Sequence, residues 1–353
     1  MNLHQFPVEF SELNSLTSRE LGIEEIYVEK DYFVLLALKS LAESPFRANA
    51  VFKGGTSLSK AYGIINRFSE DIDLAIINDE GDAVGSRSLL RKVEQALTCS
   101  PAFLEVASHE RVNKKGARLR QLVYQYPLLN PGMDFGQASK YLYLDLSRMS
   151  VGIPFEEQTV RSYIHDFLDQ TNQHSAISEF GLEPFSIRTL SKQRTFVEKL
   201  GATVKFAFLD EADGDPNFPR LTGGIRHIYD LHMLLKQPEI QQFMFDGAPF
   251  NQQDFNSFWQ QVLIDDLHGN KEKWGYAAYM NSSFAECILY RNPEAIWKKL
   301  RPTYETTFSR LHFKEPSLPS SEEVLGTIQL LKLGCQAFDA WKSKHAVKFE
   351  LPK

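Results

Sequence analysis

Cysteine is scarce in this chain. Its three copies, Cys99, Cys287 and Cys335, stand far apart and match neither a metal-ligand spacing nor a disulfide framework, which excludes a disulfide-stapled scaffold and points to a reducing compartment. Long hydrophobic runs are missing as well: no apolar stretch approaches the roughly 18 residues of a membrane span. The first residues, Met1-Asn2-Leu3-His4-Gln5-Phe6, show no basic segment followed by an apolar run. The expectation is a cytoplasmic protein with no membrane partner. Positive charge is in deficit, with 39 Lys and Arg against 45 Asp and Glu and a net charge of −6. A uniformly basic nucleic-acid-binding surface is therefore excluded, and any RNA contact has to come from a local patch. Two segments qualify, one with Lys114, Lys115, Arg118 and Arg120, the other with Lys192, Arg194, Lys199 and Lys205. Most such clusters are merely solvated faces. The chain has no internal repeat and no low-complexity tract.

What is present is ample core material. A 43% hydrophobic and 12% aromatic content over 353 residues supports one large or two ordinary globular domains. Apolar positions at helical spacing predict a long helix over Ile23–Leu41, containing the triplet Glu29-Lys30-Asp31, which reads as a surface salt-bridge face or as a nucleotide contact. A strand over Ala50–Lys53, a glycine turn and a short helix over Ser57–Tyr62 follow, an order that aims backbone N–H groups at a phosphate. Beyond a strand around Asp71, the patterns predict a helix at Ser86–Leu97 and strands near 104–109, 119–126 and 140–148, so that the sheet ends near residue 150. Helical patterns then dominate at Leu190–Leu209, Ile225–Lys236, 253–265, 293–311 and 320–343. The expected fold class is α+β: residues 1–150 form a mixed sheet flanked by helices, and 151–353 form a mainly helical domain.

The chemistry concentrates in Lys53-Gly54-Gly55-Thr56-Ser57 and in Arg67-Phe68-Ser69-Glu70-Asp71-Ile72-Asp73-Leu74. Side chains two apart on a strand share a face, so Asp71 and Asp73 project together while Ile72 and Leu74 pack the other way. Magnesium takes hard oxygen ligands and binds through one or two carboxylates plus substrate phosphates, which is what this pair offers beside a glycine turn. In Tyr141-Leu142-Tyr143-Leu144-Asp145-Leu146 the leucines form one face, and Asp145 shares the other with both tyrosines. Asp145 is thereby a candidate third metal ligand, or a general base toward an acceptor hydroxyl.

These residues resemble the nucleotidyltransferase superfamily that includes polymerase β, with Gly-Gly ahead of Asp-x-Asp and a third Asp on a later strand. More narrowly, the two segments are similar to the AbiEii/AbiGii toxin family and its MenT relatives. Arg194-Thr195-Phe196-Val197-Glu198-Lys199-Leu200 and Arg226-His227-Ile228-Tyr229-Asp230 resemble that family's third and fourth motifs. The fourth motif is often written Arg-Asp-x-Tyr-Asp, and His227 stands where its first acid belongs; the sequence leaves open whether the essential acid is that one or Asp230.

The resemblance implies an N-terminal nucleotidyltransferase domain and a C-terminal domain that contributes Lys199 and the Arg226–Asp230 motif to the active-site cleft. It implies catalytic Asp71, Asp73, Asp145, Lys199 and Asp230, with Lys53, Gly54, Gly55, Thr56, Ser57, Arg67, Ser69, Lys199 and Arg226 around the nucleotide. Ser57 is expected at the β or γ phosphate. Lys199 would neutralise triphosphate charge or simply pair with a carboxylate, and Asp230 would orient Lys199 or Arg226 or latch two helices. The implied cofactor is Mg2+ or Mn2+, the substrate an NTP, the acceptor a tRNA 3′ end, and the partner an antitoxin encoded nearby, in a toxin–antitoxin or phage-defence setting. Two other readings stay open: a nucleotidyltransferase acting on a small molecule or a protein, and an NTP-binding partner without turnover.

Overall fold

The structure is a computed structural model that describes residues 1–77, 86–113, 118–132, 139–148, 152–269, 276–313 and 316–350. Lys114 and Lys115 of the first basic segment lie outside these residues. The chain forms two compact units, one of Met1–Leu190 with Phe313–Ser317, the other of Ser191–His312 with Leu318–Lys353.

The first unit is built on a seven-stranded mixed sheet. Its strands are β1 (Ala50–Lys53), β2 (Ile72–Ile76), β3 (Leu104–Glu105), β4 (Leu119–Gln125), β5 (Tyr141–Ser147), β6 (Phe155–Val160) and β7 (Phe185–Leu190), in the order β3-β4-β5-β2-β1-β7-β6. The central strand β2 runs antiparallel to β1 and parallel to β5. Strand β5 alternates as its sequence dictates, with Leu142, Leu144 and Leu146 buried and Tyr141, Tyr143 and Asp145 on the other face.

Around the sheet lie α1 (Pro7–Leu21), α2 (Glu25–Ala42), α3 (Gly54–Lys60), α4 (Ser86–Leu97), α5 (Tyr163–Gln170) and α6 (His174–Glu179). Of the N-terminal helices expected ahead of the sheet, the sequence pattern bounds only the one from Ile23. Two of the three buried positions of α1, Asn14 and Thr17, are polar, which hides its periodic stripe. Helix α2 is buried on nearly every side, its charged triplet included. Lys30 has no exposure and donates to Glu70 Oε2, to Ser139 O at 2.5 Å and to Tyr141 O at 2.7 Å. Asp31 meets Lys60 Nζ at 2.8 Å and accepts from Tyr163 N at 2.8 Å. The surface face expected of Lys30 and Asp31 is not found; both are buried internal ties.

The sheet does not end near residue 150. Strands β6 and β7, joined through α5 and α6, extend it on the β1 side, and the division between units falls after Leu190. Strand β6 misled the sequence reading because its polar Glu156, Glu157, Gln158 and Thr159 leave only Val160 buried, as suits an edge strand.

The second unit is helical. It opens with α7 (Lys192–Asp213), α8 (Pro219–Gly223) and α9 (Ile225–Leu235), continues through Pro238–Phe245, Phe255–Gly269 and Pro293–Thr303 among others, and closes with Ser321–Lys344. An aromatic group of Trp259, Phe284 and Phe338 fills its core, with Trp259 stacked on Phe338 at 4.5 Å between ring centroids. Three residues of the second basic segment make internal ion pairs: Lys192 with Glu239, Arg194 with Glu198 and Asp265, and Lys199 with Asp230. In the first segment Arg120 is paired with Glu94.

Buried Glu29 gives the first unit a pH response. Burial pushes its carboxyl up to about 7 from an ordinary 4.5, against the opposing pull of the Leu129 N–H it accepts at 2.9 Å. The folded chain thus holds this proton more tightly than the unfolded chain. The stabilisation is full below the unfolded value and is lost as pH rises toward the folded one. Glu29→Gln, neutral throughout, is expected to flatten that slope, so that its melting temperature gains on the wild type between about pH 5 and about pH 8 in parallel thermal scans. A constant difference across that range would remove Glu29 as the source.

Candidate active site

The site is built where β1, β2 and β5 lie side by side. Lys53 pairs with Asp73 across the β1–β2 ladder, and Asp73 pairs with Asp145 across the β2–β5 ladder, so the two aspartates stand opposite each other on one face. Asp71, two residues before Asp73, completes the group. Together with Arg111, Gln121, Leu122, Tyr143 and Leu144 they line a pocket of about 50 Å3. That space suits an ion and its water rather than a nucleotide.

Each aspartate is held differently. Asp73 packs against Gly54, whose φ of +82° and lack of a side chain let the carboxylate lie against its backbone; a Cβ there would overlap Asp73 Oδ2. Asp145 Oδ2 accepts from Gln121 Nε2 at 3.0 Å, a bond delivered by the β4–β5 register that pairs Gln121 with Asp145. Burial pushes the Asp145 carboxyl above its ordinary value, while Gln121 and the charge of Lys53 pull it back. Asp71 Oδ1 is buried and receives no hydrogen bond among the described residues; Arg111 Nη2 stands 3.8 Å from it.

Three aspartates are a hard donor set that suits Mg2+ or Mn2+, and the unbonded Asp71 oxygen is the kind of atom a cation satisfies. Among the described residues no three His, Cys, Asp or Glu side chains are drawn into a preformed metal cage. The arrangement is accordingly one in which phosphate oxygens and water would supply the remaining ligands.

The glycine segment is the first turn of α3 rather than an open loop. Thr56 Oγ1 donates to Asp71 O at 2.6 Å and lies 3.0 Å from Ser69 Oγ, which pins the backbone at Asp71. Ser57, expected at a phosphate, is buried and donates to Gly54 O at 2.9 Å, closing the turn instead. Arg67 is likewise buried, with Nη1 donating to Phe68 O at 3.1 Å. A Cβ on Gly55 would come within 2.5 Å of Arg67 Nη2 and 2.8 Å of Ser69 Oγ, so this glycine is a packing requirement. Thr56, Ser57 and Arg67 therefore shape the turn from behind.

In the second unit, Lys199 on α7 donates to Asp230 Oδ2 on α9 at 2.7 Å, and both are buried. Lys199 is thus one partner of Asp230, and the bond joins α7 to α9. His227 lies one turn earlier on α9, its ring 5.7 Å from that of Phe206, and Arg226 is exposed. Sequence reasoning missed Arg111 and Gln121. Gln121 is recoverable only once the pairing of β4 with β5 is known, and Arg111 sits in an irregular segment with no period to follow.

A family model described as the nucleotidyl transferase AbiEii toxin of type IV toxin–antitoxin systems matches residues 36–325. The chain belongs to this family. It is a nucleotidyltransferase, and its family places it among the toxins of type IV toxin–antitoxin systems, which implies an NTP substrate and an antitoxin partner. No curated protein matches the sequence. Among solved structures, the chain is similar to MenT4, a nucleotidyltransferase toxin from Mycobacterium tuberculosis H37Rv, at 14% identity and a TM-score of 0.43, covering 92% of this chain and 98% of that one. It is also similar to a candidate nucleotidyltransferase from H. pylori at 15% identity and a TM-score of 0.38, covering 90% of this chain and 99% of that one. Among the described residues no helix is long and apolar enough to cross a membrane.

The Gly54 contact generates a direct test. Gly54→Ala is expected to cost about 1–3 kcal/mol in urea denaturation, from the positive φ and the displaced Asp73 carboxylate. Wild-type stability in this variant would show that the contact imposes no constraint.

Proposed function

We propose that this AbiEii-family enzyme transfers a nucleoside monophosphate from an NTP to the 3′ hydroxyl of tRNA in a Mg2+- or Mn2+-dependent reaction in the cytoplasm. We further propose that it acts as the toxin of a phage-defence pair whose antitoxin is encoded nearby. The observation that carries the chemistry is the alignment of Asp73 with Asp145 across β2 and β5, with Asp71 offering an unbonded buried oxygen to the same pocket. The tRNA acceptor rests on the resemblance to the MenT toxins alone.

A bound divalent cation would supply charge neutralisation at the triphosphate and at the attacking oxygen. Asp71 and Asp73 would hold it, with Asp145 beside them. The acceptor oxygen forms a bond to the α-phosphorus, and the bond from that phosphorus to the oxygen bridging to the β-phosphate breaks. Pyrophosphate leaves with the electron pair, and the acceptor proton passes to Asp145. A carboxyl held above its usual range is a better base than an ordinary aspartate, and Gln121 keeps it oriented. Lys53 and the backbone at Gly54 and Gly55, beside Asp73, are assigned to the triphosphate. On the motif resemblance we assign Lys199, bonded to Asp230, and Arg226 to the nucleotide. Because the acid bonded to Lys199 is Asp230, His227 leaves that pairing intact.

The experiment is incubation of the protein with Mg2+, each α-32P-labelled NTP and total tRNA, resolved on a denaturing gel beside Asp71→Ala and Asp73→Ala. Label on tRNA that both variants lose, by at least about a hundredfold, is the expected result. Label on protein or on a small alcohol with none on RNA would replace the acceptor. Undiminished transfer by either variant would refute the metal assignment. Lys199→Ala is expected to raise KM for NTP more than it weakens tRNA binding, measured by initial rates and filter binding.

The base role of Asp145 predicts an acid limb in kcat/KM above the ordinary carboxylate range of about 4. Since the Gln121 bond lowers the Asp145 value, Gln121→Leu is expected to move that limb to higher pH. A limb unmoved in pH–rate profiles of the variant would take the proton-transfer role away from Asp145.

A further inference from the structure

Arg111 belongs to none of the motifs, yet it lies at the carboxylates from outside the strands that carry them. Its guanidinium carbon sits 3.7 Å from the centroid of the Tyr143 ring, and its Nη2 is 3.8 Å from Asp71 Oδ1. Tyr143 is two residues from Asp145 on the same face of β5, so the ring is a fixed shelf that sets where the guanidinium rests. The distance to Asp71 is within ion-pair range and beyond a hydrogen bond, and the arginine side chain is 51% exposed. Such a pair is weak and readily broken.

We propose that Arg111 is a displaceable counter-ion of the metal site: a positioning residue that neutralises Asp71 while no divalent cation is bound and thereby sets how readily a free cation enters. This inference rests on the carboxylate-site reading above. Two aspartates stand opposite each other and a third stands beside them, so mutual repulsion has to be compensated in the empty state. A guanidinium on an aromatic shelf provides that compensation without filling the ligand positions. A cation that enters must work against the arginine's positive charge. Occupancy by free metal is thus held down, in favour of a cation that arrives with the negative charge of a triphosphate.

The test is Mn2+ binding to the nucleotide-free protein, followed by the loss of the free-ion EPR signal, for wild type, Asp71→Ala, Arg111→Gln and Arg111→Lys. Removing one positive charge beside the site should tighten Mn2+ binding roughly three- to tenfold in Arg111→Gln, more at low salt than at high salt. Arg111→Lys should return toward wild type, and Asp71→Ala should bind weakly or not at all. A purely structural arginine would, if anything, lower the affinity when removed. Should wild type bind Mn2+ through Asp71 while Arg111→Gln binds it equally or more weakly, the counter-ion role is overturned and the metal site stands. Should Asp71→Ala bind Mn2+ as wild type does, or wild type bind none, the metal-site reading itself fails and this inference with it. Circular dichroism and melting curves of each variant separate these outcomes from misfolding.

Discussion

Lys30 lies inside the first unit with no exposure to water, and its ammonium is shared among Glu70, Ser139 O and Tyr141 O. Burial lowers its hold on the proton, and the Glu70 charge raises it again. A lone ammonium in such a place would be strongly unfavourable, so the carboxylate and both carbonyls have to be present together. Glu70 in turn accepts from Ser139 N at 2.8 Å. One buried cation thus ties α2 to the residue immediately before Asp71 and to the entry of β5, four residues before Asp145. The relative placement of the aspartates follows from a contact none of them makes.

That tie opposes a real cost. Like charges directly opposite in a sheet repel, and Asp73 faces Asp145 in the β2–β5 register. The sheet keeps them because the surrounding hydrophobic strands specify the register: Ile72, Leu74, Leu144 and Leu146 are buried, and a slip by one residue would turn every one of them outward. The acids are carried on that register as passengers, and the site accepts the repulsion that a purely structural sheet would avoid.

Legibility of the sequence follows from how much each segment depends on distant partners. Strand β5 is two-faced, so its alternation and the placement of Asp145 with the tyrosines were readable directly. Strand β1 and α4 have the bounds their patterns predict. The charged triplet of α2 read as a surface because its partners, Glu70, Lys60 and the backbone N–H of Tyr163, are remote in sequence. Strand β6 hid behind polar edge residues, and the glycine turn looked like an open cradle until the hydroxyls of Thr56 and Ser57 were seen to be spent on backbone carbonyls. Residue type indicated the chemistry; which polar atoms are already occupied is a tertiary property.

The first unit is discontinuous, since it takes back Phe313–Ser317, where Phe313 N donates to Asn66 O at 3.0 Å and the Phe313 ring meets that of Tyr163 edge-on. The backbone therefore passes between the units after Leu190, after His312 and again after Ser317. Neither unit can be excised by a single cut, and a gene fragment stopping at Leu190 lacks a piece of its own module. Ribosomal synthesis consequently delivers the last segment of the first unit only after most of the second unit has emerged.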